Sequence, residues 1–472
     1  MDKKFFEILA KFRPCFSHEA TYYWFILFMI GLVVRGDHYG VSSIVRWLNL
    51  VPGHYYSILH FFNSNGYTLH CLLFCWWRYC LQDSACVKIQ GRSVIIGDHT
   101  NQPKDGRKMP GVVTIHQDSE TSSKPGYFRG HVWGFLALLM GQSQKYFAVP
   151  LWGELNMKER NKNNNNTMTT RIVYNAILIA EKMNCPSYLT LDAYFAVGPV
   201  FLLASSVYSI AARVPWIHII TRAKKNAVVY LDPEPKPLGK RGPQKKYGEK
   251  ITLIALFKER ADEFLEATCQ VYDHTENVKI LCLDLLWKPI AGKIRFVLAI
   301  TSRGPIVLMC SDLTLSAVAI LELYCCRSSI ENMFSVLKNL IGGLSYHFWA
   351  KLIEKSSRRP QKNKDVTSST QKAPSDTIES KVRSIEIFVN LSAILVGILQ
   401  ILAFRFPKKI WKDNVLWLRT FSNAIPSEFI VKSVLAQTIF LNLYKVNAHA
   451  IYALIHSRQS QPEDFQQFEK MA

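Results

Sequence analysis

The chain has 472 residues, 49% of them hydrophobic, enough to bury a sizeable core and to form two to four structural regions. Its 57 Lys and Arg outnumber its 36 Asp and Glu by 57 − 36 = +21, and the pI is about 9.4, so the natural partner is a polyanion: nucleic acid or an anionic membrane surface. Eleven scattered cysteines without a C-x-x-C pair argue against a disulfide framework and for a reduced, intracellular compartment.

Residues 1–88 read as helical, aromatic and basic. Ser42-Ser43 precede IVRWLNL, Val51-Pro52-Gly53 breaks the pattern, and HYYSILHFF follows. This is either a helix-turn-helix presenting Arg46, His54, Tyr55 and Tyr56 to DNA or a helical hairpin packed on the next region. His70 with Cys71, Cys75, Cys80 and Cys86 matches no usual zinc spacing and reads as free thiols in an apolar helix. MDKKFFEILAKFRP lacks the apolar core and cleavage site of a signal peptide.

From Lys88 the texture changes to strands, and residues 89–222 read as the first part of an α/β core. SVIIGDHT is a β-branched run ending in Asp98, ahead of a polar loop from His99 to Pro110. A strand that ends in an aspartate can place a metal ligand on a rigid element, although such a residue more commonly caps a loop. Further strands are expected at Val112–Ile115, Val132–Met140 and Tyr146–Val149. Asp118 and Glu120 lie in the polar stretch between the first two, where a Ser/Thr/Lys-rich loop positions nothing firmly. A solvated loop at 161–167 precedes an amphipathic helix with Ile172, Ala176, Ile179 and Met183 at helical spacing. SYLTLDAYFA is a second apolar strand ending in an aspartate, Asp192, followed by an apolar helix from Pro199 to Arg213.

Residues 223–293 read as a basic loop and a β-rich insertion. Arg222, Lys224 and Lys225 sit between two strand-like runs, and LGKRGPQKKYG brings Lys240, Arg241, Lys245 and Lys246 in a Gly/Pro loop. Such a loop is solvated, or it contacts phosphates without reading sequence. Asp284 lies mid-strand, and Asp312 suits a helix N-terminus.

Residues 294–350 return to the core and carry YCCRSSIENMFSVLK. Tyr324, Arg327, Glu331 and Lys338 stand at offsets 0, 3, 7 and 14 and fall within roughly 60° of one another on an α-helix. A surface helix with an Arg327–Glu331 ion pair accounts for part of this pattern. The spacing Y-x2-R-x3-E-x6-K, followed by Gly342-Gly343 and Tyr346-His347-Phe348-Trp349, resembles the signature around the catalytic glutamate of DDE transposases from bacterial insertion sequences. D-x-T at Asp98 and D-A-Y-F-A at Asp192 resemble the family's two aspartate motifs, and the likeness covers roughly residues 90 to 350. Cys325-Cys326 stand where relatives often carry a bulky aromatic, and no tryptophan aligns with the one some relatives use in hairpin cleavage.

The resemblance implies an RNase H-like α/β core: a mixed sheet flanked by helices, with a β-rich insertion and helical N- and C-terminal regions. It implies Asp98, Asp192 and Glu331 as catalytic ligands of two Mg²⁺ (or Mn²⁺) ions. DNA contacts are implied from Tyr324, Arg327, Lys338, Arg222, Lys224, Lys225, Arg241, Lys245 and Lys246. The implied substrates are terminal inverted repeats and target DNA, bound by a homodimer in a bacterial cytoplasm. The alternative is a catalytically inactive DNA-binding descendant of the same fold. Residues 351–383 read as a basic flexible linker and 384–472 as a helical region. In the latter, Ile387–Phe404 is long enough for a marginal membrane span but holds Asn390, Ser392 and Gln400, as a buried core helix does.

Overall fold

A computed structural model describes residues 1–116, 126–142, 145–157, 167–209, 213–236, 242–272, 274–355, 375–419, 425–443 and 450–460. Asp118, Glu120, Lys240, Arg241 and most of the expected 351–383 linker lie outside the described residues. The chain is α/β, a large mixed sheet flanked by helices.

It opens with helices α1 (Asp2–Ala10), α2 (Glu19–Val34), α3 (Gly40–Trp47), α4 (His54–Asn63) and α5 (Leu69–Leu81). The sheet begins with β1 (Lys88–Ile89), β2 (Arg92–Pro103), β3 (Val113–His116), β4 (Tyr127–Gln142) and β5 (Lys145–Leu155). Helix α6 (Met168–Lys182) starts at a capping box in which Thr167 and Thr170 exchange side-chain and backbone bonds. It leads to β6 (Ser187–Leu191), α7 (Gly198–Ser206), the short hairpin β7 (Tyr208–Ser209) and β8 (Val214–Pro215), and β9 (Ile217–Arg222). The apolar helix after Asp192 therefore ends at Ser206, short of the expected Arg213.

Strand β2 is central. It pairs antiparallel with β4 and parallel with β6, and β6 in turn pairs parallel with β9. The far edge of β4 is shared by β3 and β5. Covered on both faces, β2 reads as the continuous apolar run Val94-Ile95-Ile96, fully buried. Beyond Asp98 it does not become a loop, as the sequence suggests. It continues to Pro103, because Thr100 to Pro103 keep their pairing with β4. Gly97 lets α6 approach: a Cβ there would lie 2.8 Å from Leu191 and 2.9 Å from Ile172. Since successive residues face opposite sides, Asp98 points away from α6.

Past β9 the sheet continues through β10 (Val228–Tyr230), β11 (Lys250–Thr252), α8 (Leu256–Glu259), β12 (Leu265–Val271), β13 (His274–Trp287), β14 (Gly292–Thr301) and β15 (Gly304–Cys310). Strand β15 pairs with β9 at residues 308–310 against 220–222, so this β-rich segment is hydrogen-bonded into the same sheet. The remaining helices are α9 (Ala317–Cys326), α10 (Ser329–Ser335), a π-helical turn at Val336–Leu340, α11 (Ser375–Arg405), α12 (Pro407–Asp413), α13 (Glu428–Leu443) and α14 (Ala450–His456).

Helix α11 holds the apolar run weighed as a membrane span, and here that run is almost entirely buried, against β5, α2, α4, α5 and α13. Its polar residues have specific partners. The Asn390 amide donates to the Gly153 carbonyl (2.8 Å) and accepts from the Gly153 N–H (2.9 Å), while Glu386 accepts from the Leu155 N–H. These bonds close the outer edge of β5, which otherwise offers unpaired backbone groups. The expected α3–turn–α4 unit is present, with Ile58, Phe61 and Phe62 buried and Phe62 packed on Phe388 of α11. Arg46 pairs with Asp37 (2.6 Å), and the His54 ring sits on Trp24.

Candidate active site on adjacent parallel strands

The β2–β6 pairing runs from Ser93↔Ser187 to Ile96↔Thr190, an offset of 187 − 93 = 94. Two residues further, the same offset sets Asp98 level with Asp192, since 192 − 98 = 94, on strands about 4.8 Å apart. The two differ in setting. Asp98 is still paired through its backbone to β4 at Phe135. Asp192 has left β6 and caps the turn Ala193–Phe195, its Oδ1 accepting from the Tyr194 N–H (3.0 Å) and its carbonyl from the Thr221 hydroxyl (2.5 Å).

Glu331 reaches this step through Arg327. One guanidinium nitrogen donates to Asp98 Oδ2 (2.9 Å) and another to Glu331 Oε1 (3.1 Å), while Asp98 Oδ1 accepts from the His99 N–H (2.7 Å). The bridge depends on a helix that is not the single one expected from the sequence. Between α9 and α10 the backbone tightens, with Arg327 N–H to Tyr324, Ile330 N–H to Arg327 and Glu331 N–H to Ser328. The Ser328 and Ser329 hydroxyls donate back to the Cys325 and Cys326 carbonyls, a pattern that bends helices. The π turn follows directly, a feature frequent at functional sites.

The electrostatics reflect one cation facing three carboxylates. Burial pushes the Asp98 carboxyl up to about 6; Arg327 opposes this, and Asp192 and Glu331 add to it. Burial also raises Asp192, against the Tyr194 N–H and Arg327. For Arg327 burial works against the charge, yet Asp98, Tyr324, Glu331 and Asp192 together hold it above its ordinary value. Tyr324 is buried, its ring 6.0 Å from the guanidinium, and burial raises its phenol against the pull of Arg327 and Arg222.

The other candidates are placed differently. Lys338 donates to the Asn101 carbonyl (2.8 Å), tying the π turn to β2 three residues past Asp98. Arg222 is exposed at the end of β9, and Lys224 and Lys225 are exposed just beyond it. Lys245 and Lys246 are exposed in the connection between β10 and β11. His99 escapes notice in the sequence, where it reads as the start of a loop. It is half-buried, stacks on Phe195 at 5.2 Å, and is pushed down to about 4 by loss of solvent around the ring. Its ring backs the turn that Asp192 caps, and the signal was the Asp-His pair inside a β-branched run.

Among the described residues no three His, Cys, Asp or Glu side chains are grouped closely enough to hold a metal. Arg327 takes the place of a cation between Asp98 and Glu331. The donor set nevertheless suits a hard divalent ion in kind: all-oxygen ligands, one carboxyl raised by burial and by the two others it faces, and Glu331 with a 63% exposed side chain. No family model matches the chain, and no curated protein matches it.

Proposed function

We propose that the chain is a DDE-type transposase, acting by metal-dependent cleavage of phosphodiester bonds at insertion-element ends and 3′-OH strand transfer into target DNA. The observation that carries this reading is the delivery of Asp98 by β2 and of Asp192 by the end of the adjacent parallel strand β6, with Glu331 joined to Asp98 through Arg327. The order β5–β4–β2–β6–β9, antiparallel on one side of β2 and parallel on the other, supports an RNase H-like core. The net charge of +21 supports DNA as the partner.

Asp98, Asp192 and Glu331 are the residues that would hold Mg²⁺ or Mn²⁺. Two such ions would supply activation of a water or 3′-hydroxyl and stabilisation of the leaving oxygen in an in-line displacement at phosphorus. Arg327, once released from Asp98 and Glu331, is placed to grip a phosphate beside them. Tyr324 keeps its guanidinium oriented, Lys338 holds the glutamate-bearing segment against β2, and Arg222, Lys224 and Lys225 extend the cationic rim. The second reading, an inactive DNA-binding descendant, is favoured by one observation: Arg327 already occupies Asp98 and Glu331.

The deciding measurement is Mn²⁺-dependent nicking of DNA carrying the inverted repeats that flank the gene. Wild type should nick, and D98N, D192N and E331Q should bind the same DNA without nicking it. Binding without cleavage by wild type selects the second reading, and neither binding nor cleavage removes both.

A further inference from the structure

A cationic cavity lies away from the carboxylates, where the chain leaving β2 meets the segment that follows the glutamate-bearing helix. Its volume is about 290 Å³, near the small end of ligand pockets, and Arg107, Lys108, Met109, His347, Trp349 and Lys355 line it. The two segments are stitched together: the Lys108 ammonium donates to the Lys351 carbonyl (2.7 Å), and the Ala350 N–H donates to the Lys108 carbonyl (3.2 Å). Beneath them the buried Lys104 ammonium donates to the Leu344 (2.6 Å) and Tyr346 (3.1 Å) carbonyls. Side chains then alternate, with Phe348 (6%) and Ala350 (5%) turned inward and Trp349 (58%) turned out. The pocket thus offers an exposed indole face and a thioether in its walls, a guanidinium and two ammoniums, and no acidic side chain among the described residues of its lining.

We propose that this cavity is a binding site for single-stranded nucleic acid, in which a base stacks on Trp349 while Arg107, Lys108 and Lys355 hold the adjoining phosphates. An aromatic platform beside a cationic groove is how strands are bound without sequence preference, because every base has a π-face and every nucleotide a phosphate. An acidic protein segment would match the charge of the lining but leave the indole face unused. Position agrees with the chemistry. From Asp98 to Pro103, β2 covers five residues, about 17 Å at 3.4 Å per residue. The cavity lining begins at Gly106, three residues past that strand end, so the site lies further along the same strand direction from Asp98. The inference rests on the reading of the chain as a DNA-handling protein, but not on its being an active nuclease.

The test uses the full chain in metal-free buffer with EDTA, and fluorescence anisotropy of a labelled 15-nucleotide oligo(dT) and of a 15-base-pair mixed-sequence duplex. W349L should weaken oligo(dT) binding roughly tenfold. W349F should restore most of it, and neither should change duplex binding. R107Q/K355Q should lower the slope of log affinity against log salt by about 1.4, two phosphates at about 0.7 each. The proposal is overturned if W349L binds oligo(dT) as wild type does, if W349F is as weak as W349L, or if strand and duplex binding fall together. Strand binding that depends on Trp349 without any Mn²⁺-dependent nicking keeps this site and removes the nuclease reading. Nicking without that dependence does the reverse.

Discussion

Arg327 is where two readings of one residue meet. Four residues from Glu331, it invites description as a surface ion pair worth a few tenths of a kcal/mol. Its second partner, Asp98, is 229 residues away in sequence, and both of these side chains are only 17% exposed. Removing the guanidinium therefore leaves a largely buried carboxylate uncompensated. R327A should cost about 3 kcal/mol in urea unfolding at pH 8. The R327A/D98N double mutant should recover much of that loss, since the two changes share one interaction. Divalent metal gives an independent check: Mn²⁺ should raise the thermal unfolding temperature of wild type and not that of D98N. The residue types of this site were legible in the sequence, because two aspartates after apolar runs and a Tyr-Arg-Glu-Lys spacing are local patterns. The Arg327–Asp98 bond was not, since no local pattern reports which carboxylate a guanidinium reaches across the fold.

At the scale of elements, the segments after Glu331 are fixed by a buried polar chain. The Trp133 indole N–H donates to the Tyr346 hydroxyl (3.1 Å), that hydroxyl bonds His131 Nδ1 (2.5 Å), and His131 Nε2 bonds the Pro110 carbonyl (2.9 Å). Tyr346 is thus structural, although it belongs to the stretch that resembles a catalytic signature. Y346F leaves buried partners unpaired and should cost about 2–3 kcal/mol by chemical denaturation. Burial, helped by the Lys104 charge, keeps the His131 ring neutral and pushes it down to about 3. A histidine lowered below its unfolded value near 6.5 contributes stability that is complete above that pH and lost as pH falls towards 3. The loss approaches about 1.4 kcal/mol per pH unit. H131Q should flatten this acid limb of the stability profile. Elements were read correctly where periodicity was strong, as in α6 and β6. The single helix expected over 324–338 failed because the hydroxyls of Ser328 and Ser329 turn back onto the preceding carbonyls. Strand β2 was read too short, since its polar residues Thr100 to Gln102 pair with a strand 30 residues further along the chain.

For the whole molecule, the terminal helical regions and the core form one body, and α11 is the post that joins them. Its composition satisfies the arithmetic of a membrane span, but its asparagine and glutamate satisfy the edge of β5. N390A should cost about 1–3 kcal/mol by leaving the Gly153 N–H and carbonyl unpaired, and it should promote aggregation by opening that edge. The full chain is expected to stay in the soluble fraction without detergent, and a requirement for detergent would contradict the packing of α11. How far the sheet extends could not be read from sequence, because the junction of β15 with β9 joins residues more than 80 positions apart.

That junction has a mechanical consequence. The path from β11 to β3 crosses nine strand-to-strand steps. At about 20° of twist per step, its two ends are rotated by roughly half a turn relative to each other. A ribbon grown onto a twisting sheet cannot swing as a hinged flap; it inherits the curl. Any rod-like ligand laid along the strand ends meets a fixed saddle, and it is the ligand, not the saddle, that must bend to follow it.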